Sequence, residues 1–149
     1  MPSDFHPRVT VATIVCENSR FLMVEELIDN ALKYNQPAGH LEANESLVDA
    51  AIRETLEETA WDVQMQGYLG VSVFNAPSGD TFIRHSFVAK ALSERPNYAL
   101  DEGIQRCLWL TRAEIESLGP QLRSPLILPT IDQFLADEVY PLAMVGRWR

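Results

Sequence analysis

The sequence predicts an α/β or α+β sandwich in which a mixed β-sheet is covered by helices. Three observations carry that prediction. Short β-rich apolar runs recur along the chain, helix-start signals fall between and after them, and 46% hydrophobic residues among 149 suffice for one sizeable core. No repeat, low-complexity tract or linker interrupts the order, so one domain over residues 1–149 is expected.

The elements follow in order. Residues 9–16 are β-rich, Glu17-Asn18-Ser19-Arg20 is turn-like, and residues 21–24 resume the apolar run, which together predict a hairpin. A polar stretch comes next, then Tyr34-Asn35-Gln36-Pro37-Ala38-Gly39-His40, whose proline and glycine predict an irregular loop. Asn44 is the expected N-cap of a helix reaching about Thr59. Residues 67–74 and 81–92 read as strands joined by Asn75-Ala76-Pro77-Ser78-Gly79-Asp80, a second hairpin. After a loop over residues 93–103, residues 104–110 read as a strand, and Thr111-Arg112-Ala113-Glu114 is a capping box opening a short helix. Ser124-Pro125 supplies an N-cap and first-turn proline for a last helix through about Val139.

Charge narrows the partners. With 12 basic and 21 acidic residues the net charge is −9, which opposes broad binding to nucleic-acid backbone or anionic membrane. A polyanionic small molecule would need a positive mediator. The N-terminus lacks the basic and apolar regions of a signal peptide, and no apolar run is long enough to span a bilayer, so a soluble cytoplasmic protein is expected. Cys16 and Cys107 lie in apolar runs and read as buried thiols of a reducing compartment, with a Cys16–Cys107 bridge as the lesser alternative.

The chemistry concentrates in residues 39–61. On a helical wheel Glu54, Glu57 and Glu58 fall within roughly a 100° arc, opposite Val48, Ile52, Thr55, Leu56 and Thr59. Carboxylates at i, i+3 and i+4 repel, so solvent and salt, nearby cations or a bound metal must compensate. By spacing alone such a stretch is most often a solvated face. Were a metal to compensate, oxygen-only ligands would favour magnesium or manganese.

The longer pattern is more specific. Gly39, five residues, Glu45, seven residues, then Arg53-Glu54-Thr55-Leu56-Glu57-Glu58-Thr59-Ala60-Trp61 resembles the signature box of the Nudix hydrolase family. The glycine, the four glutamates and the arginine match at the family's intervals. Thr55 stands where an aliphatic residue is usual, Ala60 replaces a glycine, and Trp61 puts an aromatic at the final apolar place. Thr55 can still pack its methyl and bond its hydroxyl to an earlier helix carbonyl, whereas Ala60 implies strain or a different helix exit.

The resemblance implies an α/β/α sandwich with a mixed sheet, dependence on Mg2+ with Mn2+ as alternative, and hydrolysis of a nucleoside diphosphate linked to another group. It implies metal ligation by Glu54, Glu57 and Glu58, with Glu57 or Glu58 as general base. Arg53 would orient the carboxylates, Glu45 would support the loop and, through water, the metal, and Gly39 would let its backbone approach the ion. Residues 35–42, 122–126 and 140–146 look like one phosphatase branch of the family. That branch releases phosphate from nucleoside tri- and diphosphates and from hydroxymethylpyrimidine pyrophosphate, so the expected partner is a small nucleotide or organic diphosphate. An ADP-sugar or oxidised-nucleotide pyrophosphatase and a non-catalytic nucleotide sensor are the alternatives. Monomer and homodimer both stay open.

Outside the box, Asp101 and Glu102 precede the strand at 104–110, and Glu102 is the preferred additional metal carboxylate. Lys33, Arg84 and Arg123 are candidates to meet phosphate oxygens, and Tyr34, Phe74 and Phe82 to stack on a ring. His40, after the box glycine, is placed to face the site. There is no His-Glu-x-x-His, Cys-x-x-Cys, P-loop or Gly-x-Ser-x-Gly, which leaves zinc, Walker-type and serine-elbow chemistry without a motif. Arg147-Trp148-Arg149 could pack on the domain, cover the site or serve an interface.

Overall fold

A computed structural model describes residues 4–146; Arg147-Trp148-Arg149 lies outside the described residues. The strands are β1 (Arg8–Glu17), β2 (Arg20–Ile28), β3 (Ala31–Asn35), β4 (Ala38–His40), β5 (Trp61–Asn75), β6 (Thr81–Glu94) and β7 (Ile104–Thr111). The helices are α1 (Leu47–Thr59), α2 (Arg112–Ser117) and α3 (Ile127–Leu135), with short 3-10 turns at Gly119–Gln121 and Leu142–Met144. None of these helices is long and apolar enough to cross a membrane.

Strand alternation builds the layers. Along β1, Val11 and Val15 face one side while Ile14 faces the other, and β2 and β6 repeat the division with Leu22 and Phe87 against Met23 and Val88. Ala50 and Ala51 of α1 pack on the first side; Ile115 of α2 and Ile127 and Ile131 of α3 pack on the second. The result is the α/β/α sandwich with a mixed seven-stranded sheet. Its main path runs β3-β2-β1-β6-β5, with β4 paired to β1 and β7 to β2. The parallel pair is β1 with β6, in register from Arg8↔Phe82 to Val15↔Ala89; β1 pairs antiparallel with β4 and, at its end, with β2.

Several boundaries differ from expectation, each for a physical reason. The polar stretch after Val24 continues β2 and returns as β3, because Glu25 and Tyr34 face each other across that pair and bond through their side chains at 2.7 Å. The 34–40 loop is two strand ends around Gln36-Pro37. β5 begins six residues before Gly67, its buried Val63 and Met65 alternating with exposed Gln64 and Gln66. α3 starts at Ile127 and ends at Leu135, since Asp137 takes the left-handed conformation (φ 58°) that stops a helix. Ser124 Oγ instead accepts from the Leu126 amide. Cys16 and Cys107 are unbridged and only partly buried.

Candidate active site

α1 is the element that gathers the acids. Its N-cap is Ser46, whose Oγ accepts from the Asp49 amide at 3.0 Å, and not Asn44. Asn44 sits two residues earlier at φ 66°, a left-handed turn position that asparagine tolerates as readily as a cap. Thr55 lies in the core and donates its hydroxyl to the Ala51 carbonyl at 2.7 Å, as expected for a threonine in an apolar slot. Ala60 ends the helix at φ 64° with its amide on the Leu56 carbonyl, so the exit has the geometry of a glycine cap with a methyl in it.

Arg53 is the hub of the acidic face. Its Nε and one terminal nitrogen donate to both Glu45 oxygens at 2.8 and 2.7 Å. The other terminal nitrogen donates to Glu54 at 2.8 Å and Glu57 at 3.2 Å. A further bond of 3.0 Å reaches the His40 carbonyl, tying α1 to the end of β4. The pairing with Arg53 holds the Glu45 carboxyl below the usual range, while burial pushes Glu54 up against the same guanidinium's pull. A Cβ on Gly39 would overlap the Glu54 carboxylate and push it from the place Arg53 holds it in.

Glu58 has a different environment. One of its oxygens accepts from the Ala38 amide at 2.8 Å, and burial, with the charges of Glu54, Glu26 and Asp101 behind it, pushes its pKa up to about 8. The amide bond works against that rise without cancelling it.

The loop after β6 brings in a further acid. The Asp101 amide donates to the Glu57 carbonyl at 3.0 Å, and the Arg95 amide to the Ala60 carbonyl at 2.8 Å, so the loop is pinned along the last turn of α1. One carboxylate oxygen each from Glu54, Glu57 and Asp101 lies within 4.8 Å of the others. Glu102, the preferred loop acid, is not in that group: it is exposed in the turn before Gly103. Adjacent acids cannot be told apart by composition; the amide bond to the Glu57 carbonyl holds Asp101, rather than Glu102, beside the helix acids.

Beside the acids opens a cleft of about 490 Å³ lined by Glu54, Glu58, Gly39, His40, Phe82 and Arg84, among others. Phe74 and Phe82 face each other across β5 and β6, their rings 6.4 Å apart and 25° from parallel, and His40 lies against Phe82. Arg84 is 7% exposed, and burial lowers its pKa to about 10. Arg123 lines the mouth and pairs with Glu26 at 2.6 Å. Lys33 and Tyr34 do not line the cleft. The Lys33 ammonium donates to the Pro120 carbonyl at 3.2 Å, and the buried Tyr34 hydroxyl donates to Glu25, which Arg106 also holds. Both side chains fasten β3 to its neighbours. Asn35 and Gln36, part of the 35–42 run that resembles the phosphatase branch but given no role of their own from the sequence, border and brace the cleft.

The fold, the acid-bearing helix and the cleft define a Nudix enzyme, and comparison with known proteins agrees. The family model for the NUDIX domain matches residues 6–128. The chain is 40% identical over 142 residues to Phosphatase NudJ of Escherichia coli K12, covering 95% of this chain and 92% of the relative. It superimposes on a Nudix hydrolase from Nitrosomonas europaea with a TM-score of 0.93 at 36% identity, covering 96% of this chain and 98% of that one. A MutT protein from Methanosarcina mazei Go1 shares the fold, with a TM-score of 0.71 at 20% identity over 92% and 99% of the two chains. The chain belongs to the Nudix hydrolase family, and the phosphatase branch it resembles is that of NudJ.

Proposed function

We propose that the protein hydrolyses phosphoanhydride bonds in nucleoside tri- and diphosphates or a small organic diphosphate, in the cytoplasm, with Mg2+ or Mn2+ as cofactor. The observation that carries this reading is the convergence of Glu54, Glu57 and Asp101 oxygens beside a cleft that has an aromatic wall and two arginines. The name of the 40% identical relative, a phosphatase, supports it.

Oxygen donors alone, three carboxylates and the nearby Gly39 backbone, suit a hard divalent ion. Glu54, Glu57 and Asp101 would hold it, with Glu58 adjoining. When bound, the ion supplies neutralising charge to the phosphate oxygens and lowers the pKa of a water. The protein's residues do the rest. Arg53 fixes the rotamers of Glu45, Glu54 and Glu57 at once, so the carboxylates are preorganised. Glu57 or Glu58 takes the proton from the attacking water as the phosphorus–oxygen bond to the leaving group breaks. Burial keeps Glu58 protonated up to about pH 8, so in that role it would act in the ionised form that a neighbouring cation favours. Phe74, Phe82 and His40 offer a stacking surface to a planar ring.

The test is product analysis over nucleoside tri- and diphosphates, hydroxymethylpyrimidine pyrophosphate and ADP-ribose, with magnesium and with EDTA. Magnesium-dependent orthophosphate is expected, and Glu57→Gln and Glu58→Gln should each lower turnover about 10²–10⁴-fold while the protein stays folded. Wild-type turnover in both variants would overturn the assignment. Nucleoside monophosphate as product would turn the reading toward the pyrophosphatase alternative, and nucleotide binding without hydrolysis toward a sensor.

A further inference from the structure

Arg84 is out of keeping with the other arginines. Among the described residues, Arg8, Arg20, Arg53, Arg95, Arg106, Arg112 and Arg123 each lie within 4.0 Å of a carboxylate. Arg84 is the most enclosed part of the cleft wall, yet its one side-chain partner is the neutral Gln36. Among the described residues its buried Nε–H has no acceptor. A buried cation without a counter-charge is a standing loss of stability, tolerated where a ligand supplies the missing charge.

The guanidinium is also aimed. Gln36 is 1% exposed, and its amide nitrogen donates to the Ile127 carbonyl at 3.4 Å, which turns its oxygen toward Arg84. Across the sheet His40, Thr10 and Arg84 form one register row, two residues along from the row that holds Phe82 and Phe74 and so on the same face. The same cleft holds a second orphan, the Asn35 Oδ1 atom, on an amide that can present either end to a ligand.

We propose that Arg84, positioned by Gln36, is the receptor for the terminal phosphate of the substrate, and that it makes the cleft select free-ended di- and triphosphates over diphosphates capped at both ends. The inference rests on the reading of the cleft as a phosphoanhydride-hydrolysing site. A terminal phosphate carries close to two negative charges and three acceptor oxygens, an internal diester only one charge. The uncompensated guanidinium therefore gains more from the former, in a setting where screening is weak.

The experiment compares wild type, Arg84→Gln and Gln36→Leu. With magnesium, the kcat/KM for ADP should fall at least tenfold in Arg84→Gln, chiefly through KM, while that for ADP-ribose changes less than threefold. Gln36→Leu should raise KM for ADP in the same direction, and the double variant should be no worse than Arg84→Gln alone, since Gln36 acts through Arg84. Equal losses on ADP and ADP-ribose, or no loss on either, would overturn the proposal. Calorimetric binding of imidodiphosphate, a non-hydrolysable diphosphate, is measured alongside and should weaken at least tenfold in Arg84→Gln; unchanged binding, or none in wild type, also overturns it. If wild type binds imidodiphosphate through Arg84 but hydrolyses nothing, the hydrolase reading fails while the receptor stands. Thermal melting supplies the last readout. Removing an unpaired buried charge should leave Tm unchanged or raise it, whereas a fall of several degrees would mark Arg84 as structural and defeat the proposal.

Discussion

Tyr34 illustrates how far a residue type alone can mislead. An aromatic five residues before the box glycine is a candidate stacking group, yet its ring is buried and its hydroxyl donates to Glu25 at 2.7 Å. That bond and Arg106 hold the Glu25 carboxyl below its usual range, and the same bond raises the Tyr34 phenol. The two roles separate in Tyr34→Phe, which keeps the ring and deletes the hydroxyl. We expect a loss of about 1–2 kcal/mol in urea denaturation, because a buried carboxylate forfeits a charge-assisted bond while Arg106 remains. KM for nucleotides should not change. A raised KM at unchanged stability would instead return Tyr34 to the candidate substrate contacts. Arg53 was legible at this scale because its spacing from Glu45, Glu54 and Glu57 is local. Arg84 was legible only as a lone cation, since its burial and its bond to Gln36 depend on segments 48 residues apart.

Among elements, α1 was the clearest in the sequence, and its errors are confined to its ends. Asparagine suits an N-cap and a left-handed turn equally, so the choice between Asn44 and Ser46 is made by the turn in which the Glu45 side chain accepts from the Glu42 amide. At the other end, Ala60 sits at φ 64°, a region where a Cβ is strained by roughly 1–2 kcal/mol. Ala60→Gly should relieve that strain against the extra chain entropy of glycine, for a net gain of about 0.5–1 kcal/mol. Chemical denaturation reads it directly; a loss of stability would mean that the Ala60 methyl, which is buried, packs well enough to repay the strain. β5 was harder. Its first six residues alternate like a strand, but three register shifts against β6 break the pattern, and the turn residues of the second hairpin draw attention to the far end. The loop after β6 carries no periodic signal at all, so the preference for Glu102 over Asp101 had no local basis, and it is Asp101 whose carboxylate lies with those of Glu54 and Glu57. The Asp101 amide bond to the Glu57 carbonyl fixes that placement, and it joins residues no local pattern connects.

At the scale of the molecule, the sandwich was legible because β1, β2 and β6 each carry apolar residues on both faces, which calls for cover on both. The parallel pairing of β1 with β6 was not, for it joins segments about 70 residues apart. The layers also set how stability varies with pH. Glu25 and Glu45 have lowered pKa values in the folded protein, so their contribution is present above the ordinary carboxylate range and is lost as the pH falls through the folded values. Glu54 and Glu58 have the opposite sign. The folded protein holds the Glu58 proton up to about pH 8, against an ordinary value of 4.5, so stability is fully present below 4.5 and declines as the pH rises toward 8. In EDTA, Tm should therefore peak at mildly acidic pH, fall between about pH 5 and 8, and flatten above. Glu58→Gln mimics the protonated carboxyl and can still accept from the Ala38 amide, so its curve should be flatter over that interval. Magnesium should raise the wild-type Tm more at pH 8 than at pH 5, since only the ionised carboxylates gain from a cation. Melting curves for wild type and Glu58→Gln that run parallel from pH 5 to 8 would show that the proton on Glu58 does not link the site to the fold.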